Sequence, residues 1–387
     1  MMSVALKMLV GDKLKYIGLV AGIAFAAMLV VQQAGILVGL AQQTGSFIRD
    51  TSQADLWVME SQVRFSQDVL PISDGTLLRT RGIEGVDWAV PMYQGFLKAR
   101  LEDGTRATMI LIGLDDATLM GGPPEMVSGR LADLRTDKAV LIDHDARDTK
   151  LKLKRSPRPE GEPAGLRVGD SFAINDVEVR VAGEYRASKS FFWEPVVYTT
   201  YSRALQIAPR ERKLMTYLMV KVKDGHDKRE VAERIRAATG LEARTSDEFI
   251  RITADYILTE TGILVNFALA VGLGFLVGTL VSGQMLYNFT LDNLRYYGTL
   301  KAMGASNLRL VGMVLVQAVV VACIGYGIGL GAGSLLGKVV GDAGLAFSMP
   351  WQVPVGGFVA ITLCCVIAGL ISVIRVLQLE PAVVFRS

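Results

Sequence analysis

Charge is missing from four long stretches of this 387-residue chain. No Asp, Glu, Lys or Arg occurs in 16–48, 261–291, 310–337 or 343–374. A spanning helix needs about 20 apolar residues, and each stretch supplies one. The chain therefore reads as an α-helical membrane protein with four transmembrane helices. A large polar region of mixed α/β character separates the first helix from the second. Cysteine is scarce as well. Cys323, Cys364 and Cys365 all fall in the apolar stretches, so the polar region must fold without disulfides. No GxSxG, HExxH or CxxC pattern occurs, and nothing in the chain points to catalysis of its own. Proline is absent from Pro209 to Pro350, which leaves room for one long helix out of the polar region and through the second span.

What charge there is lies unevenly. Lys7, Lys13, Lys15, Arg295, Lys301, Arg309, Arg375 and Arg386 flank the spans on one side, against Asp12, Asp292 and Glu380. The loop between spans three and four holds only Lys338 and Asp342. The positive-inside rule then puts both termini and the 292–309 loop in the cytoplasm, and 49–260 outside. That outer region is close to charge balance, which argues against a nucleic-acid surface. A signal-peptide reading of the N-terminus, with Ala24-Phe25-Ala26 as cleavage site, fails because the apolar run continues to Leu40.

These signals divide the chain. Residues 1–15 form a cytoplasmic amphipathic helix on the membrane surface, and 16–40 the first span. Gln32, Gln33, Gln42 and Gln43 in and beyond its outer half are expected to face protein. Residues 41–250 form the outer α/β domain, with breakers at Gly121-Gly122-Pro123-Pro124 and from Pro157 to Gly165 marking an inserted lobe over 121–185. Asp103-Gly104 between two alternating runs predicts a hairpin. DKREVAERIRAAT (227–239) predicts a helix ended by Gly240. Residues 251–291 hold a rigid stalk running from Ser246 into the second span. A loop (292–309), span three (310–337), an outer loop (338–354), span four (355–376) and a tail (377–387) follow.

The sharpest pattern is Gly325, Gly329, Gly333 and Gly337, a side-chain-free stripe on span three. Gly274 and Gly278 give span two a shorter version. Such stripes let helices approach closely in lipid, within one subunit or against a second one; both readings stand open. Gly333-Ser-Leu-Leu-Gly337-Lys338-Val339 is one residue short of a phosphate loop and lacks its Ser/Thr. No cofactor or metal is expected on this chain. His144 among Asp143, Asp145 and Asp148 reads as a solvated turn. Phe191, Phe192 and Trp193 read as core packing or as a substrate or adaptor contact. In the 292–309 loop, Arg295, Tyr296, Tyr297, Leu300, Lys301, Met303 and Gly304 fit a short helix along the membrane. It either anchors the loop or docks on a cytoplasmic partner.

Tyr297-Gly-Thr-Leu-Lys-Ala-Met-Gly-Ala-Ser306 resembles the segment after the second span in FtsX/MacB-type (type VII) ABC transporter permeases. Leu379-Glu380-Pro381-Ala382 resembles their C-terminal motif, and the 1+3 arrangement of spans is also theirs. Leu19-Val-Ala-Gly-Ile-Ala-Phe-Ala26 resembles the DevC branch most closely. The resemblance implies a homodimeric permease in the bacterial inner membrane with two separate ATPase subunits, which would carry ATP and Mg. It implies a periplasmic adaptor (a membrane fusion protein), an outer-membrane duct and export of a lipid or other amphiphile. By position, 295–306 would be the ATPase-coupling helix, and the chain would transmit force rather than conduct. Two alternatives share the architecture: an FtsX-like activator of a periplasmic hydrolase, and a LolC/LolE-like lipoprotein-releasing permease.

Overall fold

Inside hydrocarbon every backbone polar group must find a partner within the protein, so a charge-free stretch has to become a helix. The computed structural model describes residues 2–51, 53–153, 165–189, 191, 194–209, 214–342 and 345–377. The chain divides into one unit of Met1–Leu40 with Gly262–Ser387 and a second of Ala41–Thr261.

The chain opens with α1 (Met2–Gly11) and α2 (Lys13–Thr44), followed by the short α3 (Ser46–Asp50). Next come β1 (Leu56–Met59), α4 (Gly75–Arg81), β2 (Val86–Arg100), β3 (Arg106–Leu114) and β4 (Glu125–Ser128). A 3-10 turn at Leu131–Arg135 leads to β5 (Ala139–Asp143), α5 (His144–Arg147), β6 (Ser171–Ile174) and β7 (Val177–Arg186). The domain continues with β8 (Val196–Thr200), α6 (Tyr201–Ile207), β9 (Tyr217–Val222), α7 (Lys228–Thr239), β10 (Glu242–Thr245) and α8 (Ser246–Glu260). Four helices close the chain: α9 (Ile263–Asp292), α10 (Leu294–Ala302), α11 (Asn307–Asp342) and α12 (Gln352–Leu377). Of these elements, α2, α9, α11 and α12 are long and apolar enough to cross a membrane.

In the α/β unit the strands run in the order β10-β1-β9-β2-β3-β8-β5-β7-β4, with β6 pairing β2 and β7. The expected hairpin is β2–β3, turning at Gly104 with φ +81°. Both sheet faces are buried. Along β3, Ile110, Ile112 and Leu114 enter one core while Met109 and Leu111 enter another. The helix expected over 227–239 is α7, capped by the Asp227 side chain and ended by Gly240 at φ +72°. The inserted lobe over 121–185 is corrected. Its strands extend the common sheet, because the 15-residue β2 pairs with β9 along its first half and with β3 and then β6 along its second. Tyr93, Leu97 and Met109 share one core with Val140, Ile142 and Val181. The breaker stretch 157–163 lies outside the described residues.

In the helical unit α2 sits against both of its long neighbours. A methyl group placed on Gly325 would lie 2.7 Å from Ile23 Cγ2, and one on Gly329 would lie 2.6 Å from the Ala27 methyl and overlap the Ala24 carbonyl. On Gly278 it would lie 2.8 Å from the Ala26 methyl. The glycine stripe thus serves packing inside this chain, at least along Gly325, Gly329 and Gly333. Gly337 receives the ring of Phe347, which also rests on Gly35. A helix as apolar as α9 has only 11 % of its most apolar window buried in the chain, against 39–44 % for the other spans. Its Val265, Leu269, Leu273, Leu276 and Leu280 point outward.

Two further expectations change. Helix α1 does not rest on the membrane surface alone: Ala5 and Leu9 are buried against the bundle. The uninterrupted stalk from Ser246 is broken at Thr261-Gly262, where Gly262 adopts φ +71°. Absence of proline permits a continuous helix but does not enforce one. Glycine is the residue that takes the left-handed conformation ending a helix without strain.

Candidate functional site

The turn between α9 and α11 carries the functional candidates. Helix α9 ends where the Asn293 side-chain amide donates to the Phe289 carbonyl at 2.8 Å. Helix α10 then runs nine residues, and the chain leaves it at Gly304, whose φ of +91° lets Ala305 N–H reach back to the Leu300 carbonyl at 3.0 Å. The local sequence therefore enforces a short helix with a sharp exit.

This helix has two faces. Tyr297 is fully buried among Ala5, Ala305, Leu310, Met313, Val314 and Val373. Its hydroxyl donates to Gln317 Oε1 at 3.2 Å, and Gln317 Nε2 donates to the Ala5 carbonyl at 2.7 Å. Burial pushes the Tyr297 hydroxyl up to about 12, so it stays a donor at neutral pH. This corrects the expectation that Tyr297 belongs to the docking surface: it braces the helix from behind and ties α10 to α11 and α1. Leu300 packs partly on the same cluster, and Gly298 is buried beside it. Outward stand Tyr296 (63 % exposed), Met303 (70 %) and Leu308 (81 %), with Arg295 and Arg309 also exposed. Leu308 was not singled out from sequence. An isolated leucine after a loop carries no periodic signal, and only the first turn of α11 turns it outward. A cleft of about 470 Å³ beside Tyr296 is lined by Lys7, Met8, Lys15, Phe289 and Asp292. Lys15 Nζ closes one wall, 2.5 Å from Asp292 Oδ2 and 3.3 Å from Asp12 Oδ2.

In the α/β unit, α8 is the element that leads toward the second span, and it is fixed firmly. Thr245 and Glu248 form a reciprocal capping box. Phe249 is buried beside Trp57 and Tyr217, with ring centroids 5.7 and 5.6 Å away. Thr253 Oγ1 accepts from Ser66 N–H at 3.1 Å, and Tyr256 stacks on Phe65 at 4.9 Å.

Elsewhere the chemistry is structural. His144 Nδ1 lies 2.6 Å from Glu184 Oε2, and Arg147 contacts the same carboxylate at 3.1 Å. Among the described residues no three His, Cys, Asp or Glu side chains converge as a metal site. Phe191 is half-buried; Phe192, Trp193 and the 379–382 motif lie outside the described residues.

Comparison with known proteins completes the picture. Residues 17–238 match the family described as MacB-like periplasmic core domain, and residues 268–381 match FtsX-like permease C-terminal. An uncharacterised ABC transporter permease of Methanocaldococcus jannaschii is 25 % identical over 237 residues, covering 57 % of this chain and 58 % of that one. An uncharacterised ABC transporter permease of Mycobacterium tuberculosis is 26 % identical over 115 residues, covering 29 % and 31 %. The matched stretches thus span less than two thirds of either relative's length. Among solved structures, the periplasmic region of MacB from Actinobacillus actinomycetemcomitans aligns with TM-score 0.39 and 14 % identity, over 53 % of this chain and 94 % of that one. The extracellular domain of the noncanonic ABC-type transporter YknZ from Gram-positive bacteria aligns with TM-score 0.34 and 15 % identity, over 50 % and 98 %.

Proposed function

We infer the role of this chain from its membership: it belongs to the MacB/FtsX-type family of ABC transporter permeases. It is a multi-pass membrane protein, and its part in transport is that of a non-catalytic membrane subunit. Two copies form the working permease in the bacterial inner membrane, with termini and α10 in the cytoplasm and the α/β unit in the periplasm. A separate ATPase, carrying ATP and Mg, docks on the exposed face of α10. The cargo is a lipid or other amphiphile handled on the periplasmic side and passed to an adaptor and an outer-membrane duct, as in the DevC branch. The outward Leu269, Leu273 and Leu280 of α9 are the surface on which the second copy packs.

One observation carries this reading: an exposed apolar and cationic knob, Tyr296, Met303, Leu308 and Arg295, stands on a helix braced from behind by Tyr297 and Gln317. A few exposed aromatic and apolar anchors on a rigid element are what a docking site needs. A push on α10 passes into α11 through the core that Tyr297 shares with Leu310, Met313 and Val314, and into α9 through the tight Asn293 turn that joins the two helices. The charge-free stretches 16–48, 261–291, 310–337 and 343–374 at the heart of the spans offer no Asp, Glu, Lys or Arg of the kind that lines an ion path. Motion then enters α8 at Gly262, where a left-handed glycine breaks the helix, and α8 is held to the sheet by Phe249 and its capping box.

Replacing Tyr296 and Met303 by Asp tests this. The double variant should insert and fold normally yet lose co-purification of the ATPase, or hydrolyse ATP without transport. Full ATPase binding with normal transport would refute the docking role. Gly262→Ala should leave ATPase binding intact and reduce transport; unchanged transport would remove the joint from the mechanism.

A further inference from the structure

The α/β unit contains a small pocket whose lining is unlike the rest of its core. Five adjacent strands supply its floor. Gln94 on β2 stands opposite Ile112 on β3, which stands opposite Tyr198 on β8; Asp143 on β5 stands opposite Tyr185 on β7. All five line one pocket of about 40 Å³. Its roof is α3 with the chain after β7. Ser188 N–H and Oγ donate to the Asp50 carboxylate at 2.8 and 2.9 Å, and Ser46 Oγ donates to the Lys189 carbonyl at 3.1 Å.

The side chains divide by chemistry. Ile110, Ile112 and Val196 give an apolar wall. Tyr185 and Tyr198 meet edge to face at 5.0 Å, and the Tyr185 hydroxyl is spent on the Val196 carbonyl at 2.8 Å. The polar lining is rich in acceptors: the carboxylates of Asp50, Asp143 and Glu194, and the amide of Gln94. Among the described residues no Lys, Arg or His lines it; Lys189 lies outside the lining and acts on Asp143 only through its charge. Gln94 is only 1 % exposed, and its Oε1 accepts no hydrogen bond among the described residues. A buried acceptor left unpaired costs about 1–3 kcal/mol, so its persistence in a core position calls for a donor that comes from elsewhere. Asp143 Oδ1 accepts from Asp145 N–H at 3.0 Å, and burial holds the carboxyl above its ordinary value, so a cation brought beside it would favour its charged form. The lining runs from buried Gln94 to exposed Ser188, so the pocket has a mouth. Its volume exceeds the roughly 10–15 Å³ that a single water needs and suits an ammonium group with a short stretch of methylene chain.

We propose that this pocket binds an aliphatic primary ammonium group, its N–H donors directed at Gln94 and Asp143 and its methylenes laid on the isoleucines and the tyrosine pair. The binding is independent of how α10 meets an ATPase, since every residue involved belongs to the α/β unit. A peptide lysine and the head of a cationic amphiphile share this chemistry.

The test uses the full chain in lipid nanodiscs and hexylammonium, with empty nanodiscs as background. Calorimetry should show saturable binding of hexylammonium at least tenfold tighter than of hexanol or hexanoate. Gln94→Leu and Asp143→Asn should each weaken it at least tenfold while thermal unfolding stays within a few degrees of wild type. Affinity that climbs from butyl- to octylammonium assigns the site to an amphiphile; a flat series assigns it to a lysine-like side chain. Equal binding of hexanoate, or wild-type affinity in both variants, would overturn the proposal and leave the pocket a solvent-filled gap.

Discussion

The two units achieve close packing by opposite means. In the helical unit, contact comes from what is left out: Gly325 and Gly329 on α11 and Gly278 on α9 let backbone meet backbone or methyl. In the α/β unit it comes from bulk, with Trp57, Tyr93, Tyr185, Tyr217 and Phe249 among its largest fully buried side chains. The reason lies in the solvent. Water drives apolar bulk together, so the α/β unit gains by burying large rings. Lipid gives helices no such drive, and they hold by shape alone, which small residues provide. The two units should therefore fail under opposite mutations, additions in one and truncations in the other.

The largest expected effect is an addition. Gly329→Leu forces a side chain into the Ala24 carbonyl and the Ala27 methyl. Overpacking ordinarily costs about 1–3 kcal/mol, and here the obstacle is backbone that cannot rotate away. We expect loss of folded, membrane-integrated protein, read by detergent extraction and size exclusion. Gly331→Leu is the control, two residues away on the same helix with nothing within 4 Å of an added methyl. It should fold normally. Equal behaviour of the two variants would break the comparison.

Next comes a truncation. Trp57 is fully buried, sits between Phe47, Tyr217 and Phe249, and donates its indole N–H to Ser246 Oγ at 3.2 Å. Trp57→Ala should cost about 3–5 kcal/mol. Hydrogen exchange on the full chain should show the loss in β1, β9 and α8, with the amides of α11 little changed. A uniform loss across both units would mean that they unfold as one.

How much of this was legible beforehand follows from the same contrast. The spans were visible because lack of charge over thirty residues is a signal that needs no partner. The glycine stripe was visible as a pattern, but its partner was not, since Ile23 and Ala27 lie some three hundred residues away in sequence. The β2–β3 hairpin and α7 announced themselves through Asp103-Gly104 and Gly240, local turn chemistry that acts alone. The break in the stalk at Gly262 is not legible locally, because a glycine flanked by helical sequence is compatible with both a continuous helix and a left-handed stop. Tyr297 and Tyr296 are neighbours of one type, and only the fold decides that the first is buried and the second exposed. The pocket of Gln94, Asp143 and Tyr185 was invisible, because it is assembled across five strands whose order does not follow the sequence.

A smaller effect concerns how α8 is held. Thr245→Ala removes the side-chain acceptor for Glu248 N–H and frees one partner of the capping box. Caps of this kind are worth about 1 kcal/mol. Exchange at the first turn of α8 should speed up accordingly, with α9 unaffected. The helical unit offers a matching experiment at α10, where Asn293→Ala removes the bond to the Phe289 carbonyl.

The smallest effect is the one that charge alone should produce. In the α/β unit Asp55 meets Lys228 at 2.7 Å and Lys221 at 3.1 Å, and accepts from Val222 N–H at 3.1 Å. Burial raises its pKa, but these bonds outweigh burial and hold it below its unperturbed 3.8. A carboxyl depressed in the folded state contributes stability that is full above the unfolded value and is lost as pH falls through the folded one. The α/β unit should therefore weaken below about pH 4, with Asp55→Asn flattening part of that decline. Asp143 acts with the opposite sign: burial raises it, so its ionisation costs stability as pH rises through its folded value. The uncharged stretches of the spans hold no carboxylate to titrate. Exchange protection in α11 should then stay level over the same acid range while that of β1, β9 and α7 falls. If α11 lost protection in step with β1, charge in the α/β unit would be setting the stability of the helices too.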